Sequence, residues 1–447
     1  MSTYFRSLAE YYRLAGPEQI GKNAIHQAKR CMLDSIGCML ASADGYAKEL
    51  QFIASLGGSG ECRVPGTELK LPATQAAFAA SMLASAEEMD DATAVGASVH
   101  PGCCVIPAAL AAGEKNNSSN ELLLRSIVFG YDLCNRLGLM ATEKIRELGL
   151  YGPGLLAAPC AAAVSGLLAG LEAEQLENAF SIALSMSPVC PFSSFTDGAD
   201  VKLLYTGWSV YLGMLAVEMA AEGFTGPEHI LRGGRSLESI FASDKGCDIP
   251  AGDMRYATAV VFKDYAACLS THAVLTATEK LMQNGGLDPE KIARVEIGTY
   301  PYACELDRLT GEINRVSART SLAFCVSTML CTGRVDPQNF TEQGLTDEHV
   351  LGLMEKVSVR CIEEYGSGPF GIRGGRVRIR MNDGSIHTDE VKAAKWNPCE
   401  PPSDRELVEK FFRITEGKLD NQRREAIAAA ILSMEPTGKV TDLSVLL

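Results

Sequence analysis

The stretch that decides the fold runs from Ala86 to Gly138 and reads AEEMDDATAVGASVHPGCCVIPAALAAGEKNNSSNELLLRSIVFGYDLCNRLG. Four acidic residues lie near its start, a loop of small residues follows, and His100-Pro101-Gly102 ends the loop. Two apolar patterns of helical spacing come next, so helices are expected to hold the polar loop in place. Carboxylates and an imidazole on such a loop suit proton transfer. The alternative is a solvated helix end followed by a Pro-Gly turn.

Length and composition limit the class of protein. A chain of 447 residues is long for one hydrophobic core, so two or three structural units are expected. Hydrophobic content of 47% with 21% charged residues is typical of a folded, soluble protein. The formal net charge of −14 argues against nucleic acid or an anionic membrane as a partner. An anionic substrate would therefore need a local group of Lys and Arg side chains.

Cysteine usage and apolar runs bear on the compartment. The 15 cysteines are scattered without a CxxC pair, and they form no zinc or iron–sulfur ligand pattern. The first residues lack a basic stretch followed by an apolar core, so no signal peptide is predicted. A cytoplasmic protein with reduced, mostly buried thiols is the simplest account. The uncharged run 148–171 is rich in Ala and Gly, which predicts a helix buried on all faces rather than a membrane span.

The order of predicted elements indicates a mainly α protein. Residues 1–257 carry helical patterns rich in Ala, Gly and Ser, which predict a large all-helical domain. Residues 258–393 combine helices with an alternating strand at 292–300 and a hairpin at 377–391, so a smaller α+β domain is expected. Residues 394–447 return to helical patterns and are expected to dock on the first domain.

Two helix starts can be read from capping signals. Pro72 is expected in the first turn of a helix that ends at the acidic residues. Carboxylates at a helix C-terminus oppose the helix dipole, and this unfavourable placement favours a functional role for them. Ser118 and Glu121 have capping-box spacing, which predicts the start of a later helix at this position.

Three further positions are candidates for chemistry. Lys202 lies just before a helix, where a cation and a helix N-terminus together favour an anion, although a solvated loop lysine is the alternative. Lys263 precedes Cys268 and His272, which are spaced as one helical turn. A packed pair is favoured there over a metal site, because no further ligands are near. Tyr151 lies in a turn among apolar residues, where a tyrosine more often bonds its hydroxyl to the backbone.

The remaining histidines are expected to be structural. No GxGxxG follows a predicted strand, and the sequence contains no P-loop and no GxSxG elbow. Nucleotide-dependent and serine-hydrolase chemistry are therefore poorly supported.

These pieces, in this order, resemble the MmgE/PrpD family, which includes 2-methylcitrate dehydratases, cis-aconitate decarboxylases and an iminodisuccinate epimerase. The similarity covers nearly the whole chain. The family's DxDDT…HPG motif is similar to residues 88–92 with 100–102, and its GYD…R motif is similar to residues 130–132 with 136. Its K-x-x-H-x-G motif is similar to residues 202–207. Its lysine-to-histidine motif is similar to residues 263–272, and its A-R-x-S motif to residues 318–321.

The resemblance implies a large helical domain, a smaller α+β lid domain, a site in the cleft between them and usually a homodimer. It also implies catalysis on small di- or tricarboxylates without a metal or an organic cofactor. The catalytic residues that it indicates are His100, Asp91, Glu88, Tyr151 and Lys263. The substrate-binding residues that it indicates are Lys202, Lys263, His272, Arg319 and Ser321.

Four positions depart from the family pattern. Glu88 stands where decarboxylase and dehydratase members have aspartate, and Tyr151 stands where they have histidine. Cys268 replaces a histidine that follows the second lysine, and Phe324 replaces a site tyrosine. The cations are kept while part of the acid–base set has changed, so the activity of a relative cannot be transferred directly.

A cofactor-independent lyase, either a dehydratase or a decarboxylase, is the favoured function. His100 would abstract an α-proton, and Lys202 and Lys263 would stabilise the enolate-like intermediate. Asp91 or Glu88 would orient the imidazole or transfer protons, and Tyr151 would be a second acid if a neighbouring lysine lowers its pKa. The alternatives are an epimerase or racemase of a dicarboxylate that uses the same intermediate, and an inactive paralogue that only binds carboxylates.

Overall fold

The computed structural model describes residues 3–94, 99–230, 236, 239, 250–307, 312–366 and 373–447. These residues are mainly α-helical, which confirms the expected fold class. The middle of the acidic loop, residues 95–98, lies outside the described residues. The helices described before residue 230 are α1 (Tyr4–Leu14), α2 (Pro17–Ile20), α3 (Lys22–Ser42), α4 (Ala47–Ser55), α5 (Ala73–Ala86), α6 (Pro101–Lys115), α7 (Asn120–Glu147), α8 (Gly152–Leu168), α9 (Ala173–Ser185), α10 (Ser193–Thr196) and α11 (Tyr205–Ala221).

The remaining elements alternate between helices and short strands. The later helices are α12 (His272–Gln283), α13 (Pro301–Leu306), α14 (Leu322–Thr332), α15 (Glu342–Leu345), α16 (Glu348–Met354), α17 (Asp404–Ile414), α18 (Asn421–Leu432) and α19 (Val440–Ser444). The strands are β1 (Cys62–Arg63), β2 (Lys70–Leu71), β3 (Ala92–Thr93), β4 (Val260–Val261), β5 (Ile292–Thr299), β6 (Val357–Cys361), β7 (Gly375–Met381) and β8 (Ile386–Val391).

The centre of the helical part is built from helices that have no exposed face. Every residue of α5 and of α8 is buried, which confirms the interpretation of the uncharged run as a core helix. Small residues allow this packing, because a side chain at Gly213 of α11 would meet the carbonyl oxygen of Ala158 in α8 at 2.2 Å. Helices α6, α7, α9 and α11 all pack on α8.

The α+β part contains a four-stranded sheet in the order β6-β5-β7-β8. Strands β5 and β6 are parallel, whereas β5 pairs with β7 and β7 with β8 in antiparallel fashion. The predicted strand and hairpin are therefore confirmed, with Gly384 in the turn at a φ of +88°. Residues of β7 alternate between buried and exposed, as expected for a sheet that is covered on one face. Helix α12 packs against β7 and β8.

The C-terminal helices return to the first part of the chain. Helices α17 and α18 pack against α3, and Leu407, Phe411, Ile427 and Ile431 lie in the same hydrophobic core as α1–α11. A second core is formed mostly by residues of the α+β part. Met89 of the acidic loop belongs to this second core, so the loop lies where the two cores meet.

Three local predictions differ from the structure. The N-cap of α7 is Ser119, whose side chain accepts from the backbone N–H of Leu122, so the assignment to Ser118 is wrong by one residue. Pro72 precedes α5 as its N-cap and is not part of the first turn. Cys268 and His272 do not share a helix face, because Cys268 precedes a 3₁₀ turn and α12 begins at His272.

Among the described residues, one helical stretch is long and apolar enough to cross a membrane. It is Asp200–Ala221, which includes α11. Within the protein 61% of its most apolar window is buried, so the stretch is packed as a core helix.

Candidate active site

Contacts with neighbouring elements fix the start of the acidic loop. Glu88 follows the end of α5 with a left-handed backbone, φ 54°, which points the chain away from the helix axis. The side chain of Met89 enters the second hydrophobic core, and its carbonyl accepts a hydrogen bond of 2.8 Å from Lys410 Nζ of α17. Glu88 and Asp90, on either side of Met89, are almost completely buried.

Strand pairing brings Lys263 to this loop. Ala92 of β3 lies opposite Val261 of β4 in an antiparallel ladder. Asp90 lies two residues before Ala92 and Lys263 two residues after Val261, so this pairing brings the two residues together just beyond the strand ends, where Lys263 Nζ lies 3.4 Å from Asp90 Oδ1. Side chains on one face of a sheet repeat every two residues, so the ladder directs both groups to one side. Residues more than 170 positions apart thereby become neighbours.

Five side chains form one hydrogen-bonded cluster. Lys202 Nζ pairs with Glu88 Oε1, and Lys263 Nζ lies 3.4 Å from both Glu88 Oε2 and Asp90 Oδ1. Asp90 Oδ2 lies 2.8 Å from His100 Nδ1. Two lysines therefore balance two carboxylates, with the imidazole at the end of the chain of contacts.

The cluster keeps its carboxylates ionised. Burial on its own would raise the pKa of Glu88, but Lys202 and Lys263 outweigh it and the pKa is lowered. Burial likewise opposes ionisation of Asp90, yet Lys263 and His100 hold the pKa of Asp90 well below its usual range. The two carboxylates in turn raise the pKa of Lys263 despite its complete burial. An ionised Asp90 accepts from His100 Nδ1–H and so leaves Nε2 as the acceptor nitrogen.

A cavity of about 70 Å³ adjoins the cluster and opens to solvent. Glu88 and His100 line one wall, and Tyr151, at the N-cap of α8, lies beside them. Neither His100 Nε2 nor the Tyr151 hydroxyl makes a hydrogen bond to a described residue. The other walls are lined by Arg146, Leu150, Gly152, Pro153, Phe192, Phe195, Cys268, Leu269, Ser270, Tyr300, Tyr302 and Arg373.

Helix N-termini surround the cluster. His100 is the N-cap of α6, Tyr151 is the N-cap of α8, and Lys202 lies in the 3₁₀ turn before α11. The free N–H groups and the dipole of a helix N-terminus favour negative charge. This part of the cavity is therefore suited to an anion that approaches from solvent.

Family models match most of the chain. The model of the MmgE/PrpD N-terminal domain matches residues 6–249, and that of the MmgE/PrpD C-terminal domain matches residues 265–435. The chain belongs to the MmgE/PrpD family. The resemblance inferred from the motifs is thereby confirmed.

Curated relatives from this family align with nearly the whole chain. Cis-aconitate decarboxylase of Aspergillus terreus (strain NIH 2624 / FGSC A1156) is 26% identical over 96% of this chain and 92% of its own length. Cis-aconitate decarboxylase-like protein oryM of Aspergillus oryzae (strain ATCC 42149 / RIB 40) is 23% identical over 96% of this chain and 94% of its own length.

Tyr151 differs from expectation in its electrostatics. The acid role of Tyr151 was conditional on a neighbouring lysine that lowers its pKa, and Lys202 Nζ does lie 5.6 Å from the ring centre. However, burial and then the carboxylates of Glu88 and Asp90 raise the pKa of Tyr151 well above its ordinary value. That condition is not met, and Tyr151 is a neutral phenol.

Asp91 lies on the other side of the loop from the imidazole. Its carboxylate accepts hydrogen bonds from Gly102 N–H at 2.6 Å and from the Tyr131 hydroxyl at 2.7 Å. Burial, with a further contribution from Asp34, raises the pKa of Asp91 to about 8. Asp90, which the motif comparison had left out of the catalytic set, is the residue that orients His100.

None of the five predicted substrate-binding residues is among those that line this cavity. Lys202 and Lys263 are buried in the cluster and paired with its carboxylates, and the other three make contacts elsewhere. His272 is buried with Nε2 3.0 Å from the Ala267 carbonyl oxygen, and burial lowers its pKa to about 3. Arg319 pairs with Glu87 and lines a different cavity. Ser321 caps α14 by accepting from Phe324 N–H. These side chains are occupied by structural contacts in the protein.

The residues that replace family residues lie in different parts of the protein. Cys268 lines the cavity, and burial followed by Glu88 raises its pKa, so it is a neutral thiol. Phe324 is buried in the second core against Phe340, with ring centres 5.7 Å apart. Among the described residues no group of three or more His, Cys, Asp or Glu side chains has the arrangement of a metal site.

Sequence reasoning missed the arginine side of the cavity. Arg146 lies in the last turn of α7, and Arg373 precedes β7. Neither belongs to a short motif, and they are more than 220 positions apart, so only tertiary structure brings them to one cavity. Asp90 had a signal, since it stands in the acidic run two positions after Glu88 and ten before His100.

Proposed function

We propose that this protein is a cofactor-independent lyase that acts on a small di- or tricarboxylate through α-proton abstraction and an enolate-like intermediate. The observation that carries the proposal is the Asp90–His100 pair, in which His100 lines a cavity that Arg146 and Arg373 also line and His100 Nε2 has no hydrogen bond to a described residue. The similarity to proteins named cis-aconitate decarboxylase supports a lyase that takes an anionic carboxylate.

His100 is the proposed base. Its Nε2 takes the α-proton, and the C–H electron pair passes into the adjacent carboxylate to give the enolate-like form. The imidazolium that results is next to the ionised Asp90, which stabilises the new charge. Because Lys202 and Lys263 balance Glu88 and Asp90, protonation of His100 makes the whole cluster net positive, and this favours the negative intermediate beside it.

Tyr151 is the proposed acid. In a dehydration the enolate-like electron pair forms the C=C bond, the C–OH bond breaks, and the leaving hydroxide takes the phenol proton as water. In a decarboxylation of an unsaturated acid the C–CO₂ bond supplies the electrons instead, and the remote alkene carbon takes the proton. The raised pKa of Tyr151 keeps its phenol protonated at neutral pH, so a proton is available for both steps, but it also makes the phenol a weaker acid than one whose pKa lies near the working pH.

An epimerase or racemase is the second candidate. His100 and Tyr151 line the same cavity, and inversion at carbon needs a base and an acid that reach the carbon from opposite sides. In that reaction the α-proton goes to His100, and Tyr151 protonates the other face of the intermediate without loss of a group. Because four family positions are changed, a protein that binds carboxylates without turnover is a further alternative. The experiment must distinguish this alternative from an enzyme.

Proton NMR in D₂O distinguishes these reactions. We would incubate the protein with cis-aconitate, citrate, 2-methylcitrate and iminodisuccinate and follow the α-protons. Loss of water or carbon dioxide supports the lyase, whereas deuterium exchange with inversion and no elimination supports the epimerase. Binding of an acid without deuterium exchange or elimination would contradict both the lyase and the epimerase. The protein would then be one that only binds carboxylates.

A matched pair of variants tests the base. His100→Gln should reduce turnover by about 10²–10⁴-fold with an unchanged fold. His349→Gln is the control, because His349 is exposed on α16. A His100 variant that keeps more than roughly a tenth of the wild-type rate would remove His100 from this role.

The other parts of the original hypothesis remain predictions. Lys202 and Lys263 are proposed to act on substrate charge through the cluster, because both are already paired with carboxylates. A homodimer and a cytoplasmic location are retained as proposals, and sedimentation velocity of the full chain would test the first.

A further inference from the structure

Two arginines line the cavity, and neither has a carboxylate partner among the described residues. Arg146 comes from the end of α7 and Arg373 from the segment before β7. No described Asp or Glu oxygen lies within 4 Å of either guanidinium group. Other arginines of the chain do have such partners, for example Arg413 with Asp264 and Arg315 with Glu49. Two unneutralised cations on one cavity need an explanation.

Aromatic rings hold both guanidinium groups in place. Arg146 Cζ lies 4.9 Å from the ring centre of Tyr302, and Arg373 Cζ lies 5.9 Å from the same centre. Arg373 also lies 4.8 Å from the ring centre of Tyr300 and donates to its hydroxyl at 3.4 Å. Stacking fixes a guanidinium plane without neutralising its charge, and most of its N–H donors remain available.

The placement of Arg146 near Arg373 is electrostatically unfavourable. Burial and then the like charge of Arg373 lower the pKa of Arg146, which means that its surroundings disfavour the cation. Lys202 and Lys263, the other cations nearby, are already balanced by Glu88 and Asp90. An incoming anion would therefore find uncompensated positive charge at the arginines and not at the lysines.

The geometry points to a carboxylate-binding subsite formed by Arg146 and Arg373, which takes the second carboxylate of a di- or tricarboxylate whose reacting carbon lies at His100. The identity of the reacting carbon rests on the proposed function, whereas the binding of a second carboxylate does not. Guanidinium forks match carboxylates in a bidentate manner, so the subsite selects for a second carboxylate and not for general polarity.

This subsite would also connect the two family domains. Arg146 lies in the region matched by the N-terminal model, and Arg373, Tyr300 and Tyr302 lie in the region matched by the C-terminal model. An anion that bridges both arginines therefore stabilises their association. Ligand binding should raise the melting temperature of the full chain by an amount that grows with the logarithm of the ratio of ligand concentration to Kd.

Binding of three inert acids tests the inference. Butanoate, succinate and propane-1,2,3-tricarboxylate differ in carboxylate number and have no group to eliminate. Wild type should bind succinate and the tricarboxylate more tightly than butanoate, by roughly 10- to 100-fold in calorimetric Kd. Arg146→Gln and Arg373→Gln should each lose most of this preference, and Arg→Lys variants should keep part of it because they keep charge without the fork.

Controls separate this subsite from a structural role and from the reaction. Arg405→Gln should behave as wild type, because Arg405 is exposed and pairs with Glu409 on α17. His100→Gln should keep the preference while losing turnover, so failure of catalysis and failure of binding are distinguishable. Equal affinity of wild type for succinate and butanoate, or an unchanged preference in both Arg→Gln variants, would overturn the inference. Melting curves without ligand verify that the variants fold.

Discussion

Glu88 adopts a left-handed backbone conformation that few residues with a Cβ adopt. Such a conformation costs of order 1–3 kcal/mol and persists only where the surroundings determine it. Here the surroundings are an ion pair with Lys202 on one side and the anchored Met89 on the other. The family aspartate at this position has one methylene less, so the longer Glu88 side chain changes how far the carboxylate reaches.

Asp90 is expected to matter for the rate of turnover. Asp90→Asn removes the charge that fixes the His100 tautomer, so turnover should fall by about 10²–10⁴-fold. The measurement is the initial rate by NMR with the acid that wild type converts. Asp288→Asn is the control, since Asp288 is a solvent-facing residue paired with Lys291. A rate for Asp90→Asn within a few-fold of wild type would contradict the assignment.

Asp91 predicts a pH dependence of stability. Its pKa is about 8 in the folded protein and about 4 in the unfolded chain, so between these values the folded state holds a proton that the unfolded state has lost. Its stabilising contribution is complete below pH 4 and declines as pH rises to 8, by up to about 1.4 kcal/mol per pH unit. Asp91→Asn should flatten this decline.

The difference between two urea-unfolding curves isolates this group. Asp307 also has a raised pKa, and His272 has a lowered one, so wild type alone reports several groups. Subtracting the Asp91→Asn profile from the wild-type profile removes these shared contributions. A difference that does not change between pH 4 and pH 8 would show that Asp91 is ionised throughout this range.

At the scale of elements, the close packing of helix α8 follows from its lack of charged residues. Helix α8 is buried on every face, and its Ala and Gly residues leave room for the backbone of α11. Sequence composition predicts such close packing well, because few other arrangements suit an uncharged run of small residues. Capping is harder to assign, as shown by Ser119, because adjacent serines offer two equivalent registers.

Gly213 in α11 tests the close contact. A Cβ at this position would approach the carbonyl oxygen of Ala158 to 2.2 Å, and a backbone atom cannot move aside as a side chain can. Gly213→Ala should therefore destabilise the protein by about 1–3 kcal/mol in urea unfolding. Gly352→Ala is the matched control, because this helical glycine has no atom within 4 Å of the added Cβ. There the higher helix propensity of alanine should give a gain of up to about 1 kcal/mol.

At the scale of the molecule, the last helices support the site from behind. Lys410 of α17 is fully buried and donates to Asp34 of α3 at 2.6 Å and to the Met89 carbonyl oxygen at 2.8 Å. A residue near the end of the chain thus fixes the loop that carries Glu88 and Asp90. The sequence predicts that these helices return, from their amphipathic pattern, but not which residue they anchor.

Lys410→Met should be strongly destabilising. It leaves the buried carboxylate of Asp34 without a partner, which costs about 3–5 kcal/mol. The double variant Asp34→Leu with Lys410→Met should recover much of the loss, because both buried charges are then absent. Urea unfolding of the single and double variants measures this coupling. Equal stability of the two would show that the ion pair is not the main role of Lys410.

The sequence by itself determined the fold class, the buried helices, the sheet hairpin, the family and the polar loop with His100. Periodicity, turn residues and short motifs are patterns among residues that are near each other in the chain, so they can be recognised from the sequence alone. Only the tertiary structure decided that Asp90 rather than Asp91 orients the imidazole, that the lysines are neutralised, and that Arg146 and Arg373 share a cavity. Those relations depend on strand register and on which helix faces which, and neighbouring charges, acting against burial, then keep Glu88, Asp90 and Lys263 ionised.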